Sequence, residues 1–278
     1  MDAVVHPDLA SFDAAAHERL TADPVRNTVA LTSLHRIRQL PAELPPTLIT
    51  FHDNGKVIGS LVRTPPWPFQ TADLPVAAAE LAVRVITEID PDGPGVTGPK
   101  ERSEAFATAF ADATGKTYRE SLATRLYRLG TLAPPTVPDS WRLATEADVD
   151  LLGAWRREFL IEAVPEAPNE GTTEAMRGSL KLGTGHVLWE SDGTPVAWAS
   201  GSLPEAGMTR VGPVYTPPGH RRHGYGAAAT AAVTRWALDQ GAADVLLFTD
   251  LTNPVSNSIY QRIGYRPVED WAEYWWQD

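Results

Sequence analysis

The chain of 278 residues contains no cysteine. Disulfides, thiolate metal sites and a covalent acyl-cysteine route are therefore excluded for it. Long apolar runs are missing as well. The longest stretch, around residues 245–248, falls far short of the roughly 20 residues a bilayer span needs. Positive charge is not in excess: the net charge is −11, which argues against a broad nucleic-acid-binding face. Lysine is scarce, 4 against 20 arginines, which we read as compositional bias. Residues 1–6 show neither a basic region nor an apolar core, so no secretory signal is expected and the cytoplasm is the expected compartment.

What is present is an ordinary globular composition, 43% hydrophobic and 21% charged. The length suits two domains. Residues 132–140 hold three prolines, a density that resists both helix and central strand, and they read as a linker. The acidity is uneven: residues 1–138 carry −3 and residues 139–278 carry −8.

The two halves share a layout. Strand-like runs at 47–53 and 56–62 flank Asp53-Asn54-Gly55, a hairpin signal. Runs at 186–190 and 196–200 flank Ser191-Asp192-Gly193 in the same way, and Gly55 and Gly193 lie 138 residues apart. Each half then offers a short strand, a helix, a glycine and an extended aromatic segment: 95–98, 99–114, Gly115 and 117–132, then 244–250, 253–262, Gly264 and 265–276. A duplicated α/β (α+β) fold is the simplest account. Further helices are expected at 9–21, 24–39 (proline first), 77–89, from Thr145 onward, and at 227–240. The aromatic run 270–276 reads as a last strand packed on the core rather than an acceptor pocket.

Between its hairpin and this unit the second half has gained about 11 residues. There a strand at 208–216 leads into Pro217-Pro218-Gly219-His220-Arg221-Arg222-His223-Gly224-Tyr225-Gly226 and then an alanine-rich helix. Strand, basic glycine-rich turn and helix together make an anion site. Backbone N–H groups converge, the helix N-terminus adds positive partial charge, and glycine allows close approach. His220 and His223 lack a third ligand nearby, and the arginines beside them would repel a cation, so no metal is expected.

Arg221-x-x-Gly224-x-Gly226, placed between strand and helix, resembles the Q/R-x-x-G-x-G/A signature of the GNAT superfamily of acyl-CoA-dependent N-acyltransferases. About thirty residues on, Asn253 through Tyr265 resembles its second hallmark, with Asn253, Tyr260, Gly264 and Tyr265 at the matching places. The resemblance implies two tandem GNAT-like domains, each a mixed, mostly antiparallel sheet flanked by helices. It implies acetyl-CoA as cosubstrate. Arg221, Arg222, His223, Gly224, Tyr225, Gly226 and Ala227 would surround its pyrophosphate. Val214 and Thr216 would present backbone to the pantetheine, with Asn253 and Asn257 beside it. A nearby N–H would polarise the thioester carbonyl. Pro217 has no N–H, so that donor must come from a neighbour. Tyr260 would protonate the departing thiolate; without the resemblance, a core tyrosine is the plainer reading.

With no cysteine, direct transfer to an amine is the simplest route. For the base, Glu158 and Glu162 are spaced i, i+4 on the first helix of the second half. Glu162 is the catalytic candidate, with ordered water as the other option. Residues 1–131 lack the turn motif and offer Phe106 or Phe110 near the place of Tyr260, so a degenerate domain is expected there, followed by the linker 132–140 and a catalytic domain at 141–278. The expected activity is transfer of acetyl to a primary amine of a small cationic molecule, the acidity of the second half favouring positive acceptors. A non-catalytic acyl-CoA sensor or interaction module is the alternative. The expected partner is the small-molecule amine, with neither nucleic acid nor membrane, and the chain a monomer or homodimer.

Overall fold

The computed structural model describes every residue except 41–43, 139, 165, 167–168 and 278; Asp139 of the expected linker thus lies outside the described residues. The chain divides into two compact units. The first comprises Met1–Thr124 with Glu269–Asp278, and the second Arg125–Val268. Leu132 and Val137, in the proline-rich stretch, pack on the core of the second unit.

One order of elements occurs twice. The first series is β1 (Asp2–Val5), α1 (Leu9–Ala22), α2 (Thr28–Gln39), β2 (Thr47–Asp53), β3 (Lys56–Arg63), β4 (Phe69–Gln70), a 3-10 turn at Val76–Ala78, α3 (Ala79–Ile89), β5 (Gly95–Pro99), α4 (Lys100–Thr114) and β6 (Thr117–Leu129). The second is β7 (Ser140–Leu143), a 3-10 turn at Glu146–Asp148, α5 (Val149–Ala163), α6 (Thr172–Lys181), β8 (Gly185–Ser191), β9 (Thr194–Gly201), β10 (Met208–Tyr215), a 3-10 turn at Pro218–His220, α7 (Tyr225–Asp239), β11 (Asp244–Asp250), α8 (Pro254–Ile263) and β12 (Tyr265–Gln277). Both hairpin glycines take positive φ, each after an equally left-handed Asn54 or Asp192, as a tight two-residue turn requires.

In the first unit β1 to β5 lie side by side in chain order, and Trp271–Trp275 pairs antiparallel with Gly95–Pro99. Its core gathers Phe51, Phe69, Phe106 and Phe110 with Tyr274. The second unit has the order β6-β11-β10-β9-β8-β7, with β10 parallel to β11 and the pairs from β10 through β9 and β8 to β7 antiparallel. One face of that sheet is covered by α7, whose alanines let it lie close on the strands, with Val211, Val245 and Leu247 beneath. The other carries α5 and α6 over Leu188, Trp198 and Tyr215. His186 is buried there between Trp198 Nε1, 3.1 Å from its Nδ1, and Ser179 Oγ, 2.7 Å from its Nε2.

Two expectations shift. The proline-first helix begins at Thr28, not Pro24: its cap Asn27 has non-helical ψ of 13°, and the Asn27 side chain donates back to the Leu20 carbonyl. The alanine-rich helix starts two residues early, at Tyr225, since the left-handed Gly224 serves as its cap.

Candidate active site

The site grows out of the parting of β10 from β11. Their parallel ladder runs from Met208/Asp244 to Val211/Leu247, yet β10 continues to Tyr215 and β11 to Asp250. A register irregularity between Val211 and Val214 bends β10 away at this point. The edge of β10 turned toward β11 is left unpaired at Val214, while Val214 and Tyr215 stay paired with β9 on the other side. A notch lined by backbone donors and acceptors results.

At the end of β10 the chain turns through Thr216 and the 3-10 turn into α7. Ala228 N–H donates to the Gly224 carbonyl, the first bond of the helix. The amides of Tyr225, Gly226 and Ala227 precede it and have no acceptor within the helix. Gly224 has φ +85° and Arg222 +69°, so the peptide planes between them curl into a concave turn. An ideal Cβ on Gly226 would lie 3.0 Å from Thr216 Oγ1, which shows how closely strand and helix start approach. The arrangement fits the phosphates of coenzyme A: glycine where the backbone must approach, amides at the helix start with no acceptor within the helix, and the exposed Arg222 alongside.

The two arginines behave differently. Arg221 is drawn back into the protein. Its Nε donates to the Thr216 carbonyl at 2.9 Å, and its Nη2 spans both Glu162 oxygens at 2.9 and 2.7 Å. Its guanidinium also lies 5.9 Å from the centroid of the Tyr215 ring. Arg222 is exposed. His223 stacks on Tyr225, whose hydroxyl reaches Ser191 Oγ at 3.3 Å.

Across the notch, Asn253 caps α8 by accepting the Ser256 N–H at 3.0 Å, and its side-chain NH2 has no partner among the described residues. Asn257 is fully engaged. Its Nδ2 donates to the Asp250 and Asn253 carbonyls, each at 2.8 Å, and its Oδ1 accepts from Tyr127 Oη at 3.0 Å. It braces the turn between β11 and α8. Tyr260, two turns into α8, packs edge-on to Tyr265, and its hydroxyl finds no hydrogen-bond partner among the described residues. Burial pushes its phenol up to about 12 even though the residue as a whole is only partly buried, so it stays protonated at neutral pH.

Sequence reasoning missed Tyr215. Its hydroxyl donates to Glu158 Oε2 at 2.6 Å, joining the end of β10 to α5. Burial first, and the Glu158 carboxylate second, push this phenol well above its ordinary value. Glu158 Oε1 has no partner among the described residues. The i, i+4 glutamates were the only sign in the sequence, and nothing there said which of them meets a tyrosine and which an arginine.

Residues 150–265 match the model of the Acetyltransferase (GNAT) family. No curated protein matches the chain. Among solved structures, a GCN5-related N-acetyltransferase from Kribbella flavida superposes with a TM-score of 0.59 at 21% identity, over 90% of this chain and 95% of that one. A tandem GNAT protein from the clavulanic acid biosynthesis pathway gives 0.62 at 15%, over 99% and 98%. A GCN5-related N-acetyltransferase from Sphaerobacter thermophilus gives 0.60 at 16%, over 98% and 94%. At these identities the likeness speaks for the fold, and it spans both series of elements. The notch, the turn and the helix that follows all lie inside residues 150–265, the segment similar to the Acetyltransferase (GNAT) family.

Proposed function

We propose that the second unit transfers an acetyl group from acetyl-CoA directly to a primary amine, and that the acceptor is a small cationic molecule. The observation that carries this reading is the parted pair β10/β11, with unsatisfied amides at the start of α7 on one side and an unbonded Tyr260 hydroxyl on the other. Acetyl-CoA supplies the acetyl group as a thioester. The amides of residues 225–227 and the exposed Arg222 hold its phosphates, and the unpaired backbone at Val214 orients the pantetheine. The Asn253 amide adds a hydrogen bond, and Asn257 keeps that asparagine in place. Tyr260 holds a proton at Oη for the departing thiolate.

We assign the amine's proton to Glu158, whose Oε1 has no partner among the described residues, rather than to Glu162, whose two oxygens are both committed to Arg221. Glu162 then acts by holding Arg221 and the turn behind it. The cationic acceptor is supported by the −8 charge of residues 139–278. The test is thiol release from acetyl-CoA against a panel of amines that includes aminoglycosides, polyamines, amino acids and peptides. Expected are turnover with at least one cationic amine and a loss of roughly 10²-fold or more in kcat for both Tyr260→Phe and Glu158→Gln. Binding of CoA should be unchanged in both variants. Binding without turnover across the panel would leave a sensor, and undiminished kcat in Tyr260→Phe would remove its acid role.

A further inference from the structure

The first unit repeats the element order of the second, and the place matching the active site can be followed through it. There Thr71 N–H donates to the Thr97 carbonyl at 2.9 Å, the bond that ends the β4/β5 ladder, and side chains close the seam just past it, with Thr71 Oγ1 3.0 Å from Ser103 Oγ. Gly98 is filled against Thr71 so closely that a Cβ has no room.

Beside that closed seam lies a cavity of about 530 Å³, within the range of small-molecule sites. It sits where α1, the end of β4 and the start of α4 come together. Three arginines line it: Arg19, Arg26 and Arg102, with Glu18, Asp23 and Asp73 among the other lining residues. Charge is balanced in number but not in pairing. Asp73, deeply buried, accepts from Arg19 Nε at 2.9 Å and from Ser60 Oγ at 2.9 Å. Arg26 is held by Glu269 at 3.2 Å and by Asp23 at 3.4 Å. Arg102 donates to the Ala72 carbonyl and has no carboxylate partner among the described residues. Burial, and then the neighbouring Arg26, lower its pKa, while Asp73 and Glu269 act in the opposite sense.

A half-buried guanidinium with no carboxylate in salt-bridge contact among the described residues, beside Arg26, which Glu269 holds through Nε and Asp23 through Nη1, offers donors that match an oxyanion. We propose that this cavity binds a small oxyanion-bearing molecule, a carboxylate or a phosphate, with Arg102 as principal contact and Arg26 beside it. The first unit is then a ligand-binding unit in its own right, with its chemistry changed from thioester to anion recognition. The proposal does not depend on the activity of the second unit.

The test uses the full chain and two probes, citrate and inorganic phosphate, titrated by calorimetry. Saturable one-site binding is expected to weaken about tenfold or more in Arg102→Gln and in Arg26→Gln, with Arg102→Lys between. Gly224→Glu, which alters the anion turn of the second unit, should leave it unchanged. Preference for citrate identifies a carboxylate ligand, and preference for phosphate a phosphoryl one. In the unaltered protein, saturation should slow amide exchange at residues 19–27 and 100–104, a readout that holds even if a variant fails to fold. Absence of saturable binding, full affinity in Arg102→Gln, loss confined to Gly224→Glu, or slowing confined to 222–228 would each overturn the proposal.

Discussion

His186 shows how one side chain couples packing to proton chemistry. Its Nδ1 accepts the indole N–H of Trp198, so the proton must sit on Nε2, which faces Ser179. Both ring nitrogens are used by the neutral form. Burial lowers the pKa to about 4, against an ordinary 6.5. The unfolded chain therefore takes up a proton at a higher pH than the folded one, and stability is full above 6.5 and declines as pH falls toward 4. The contribution is of order 3 kcal/mol. Glutamine can accept from Trp198 and donate to Ser179 without titrating. Denaturant melts of parent and His186→Gln should therefore converge or cross as pH drops from 7 to 4, the parent losing more. A constant gap between them would disprove the assignment. None of this was legible in the sequence, where His186 is one more residue of a strand; its partners lie 7 and 12 positions away on other elements.

Helix α8 and the glycine that ends it illustrate how an element can be read correctly for an incomplete reason. The pattern Asn253…Tyr260…Gly264 was legible, and the helix lies within one residue of its expected bounds. The need for Gly264 is plain only in three dimensions. Its φ is +116°, its carbonyl accepts the Gly130 N–H at 3.0 Å, and an added Cβ would run into the Thr131 carbonyl. Backbone, not a side chain, occupies the space, so nothing can rotate away. Gly264→Ala is expected to cost about 3 kcal/mol or more, combining left-handed strain with the clash, and to lower Tm by several degrees. Gly193→Ala, at an open hairpin turn whose φ of +73° lies nearer the left-handed well, should cost markedly less. Equal costs would mean that crowding contributes nothing. Other elements were not foreseen. Helix α6 buries only Met176, and β7 is four residues long and mostly exposed. Neither carries enough apolar period to stand out.

For the molecule as a whole, the repeat of element order was readable because hairpin turns and helix-ending glycines recur at near-constant spacing. Which strand would sit beside which was not, since period-two alternation names a face but never a partner. Charge operates at this scale as well. With a net charge of −11, long-range attraction should gather a cationic acceptor and fade once the Debye length drops to about 10 Å at 0.1 M salt. At saturating acetyl-CoA, the KM of a polyamine or aminoglycoside acceptor is expected to rise severalfold between low and physiological salt while kcat holds. A KM that ignores salt would count against a cationic substrate.

The pairing of Trp271–Trp275 with Gly95–Pro99 has a consequence for the order in which the protein can be made. Synthesis runs from the N-terminus at about 5–20 residues per second, and domains fold as units. The first unit, however, includes residues 269–278, which leave the ribosome after the whole of the second unit. Until they emerge, β5 keeps an open row of backbone donors and acceptors, a template for mispairing. The second unit, made of consecutive residues, is free to close beforehand. Of the two units, the one whose synthesis starts first is therefore the one whose sheet is completed second.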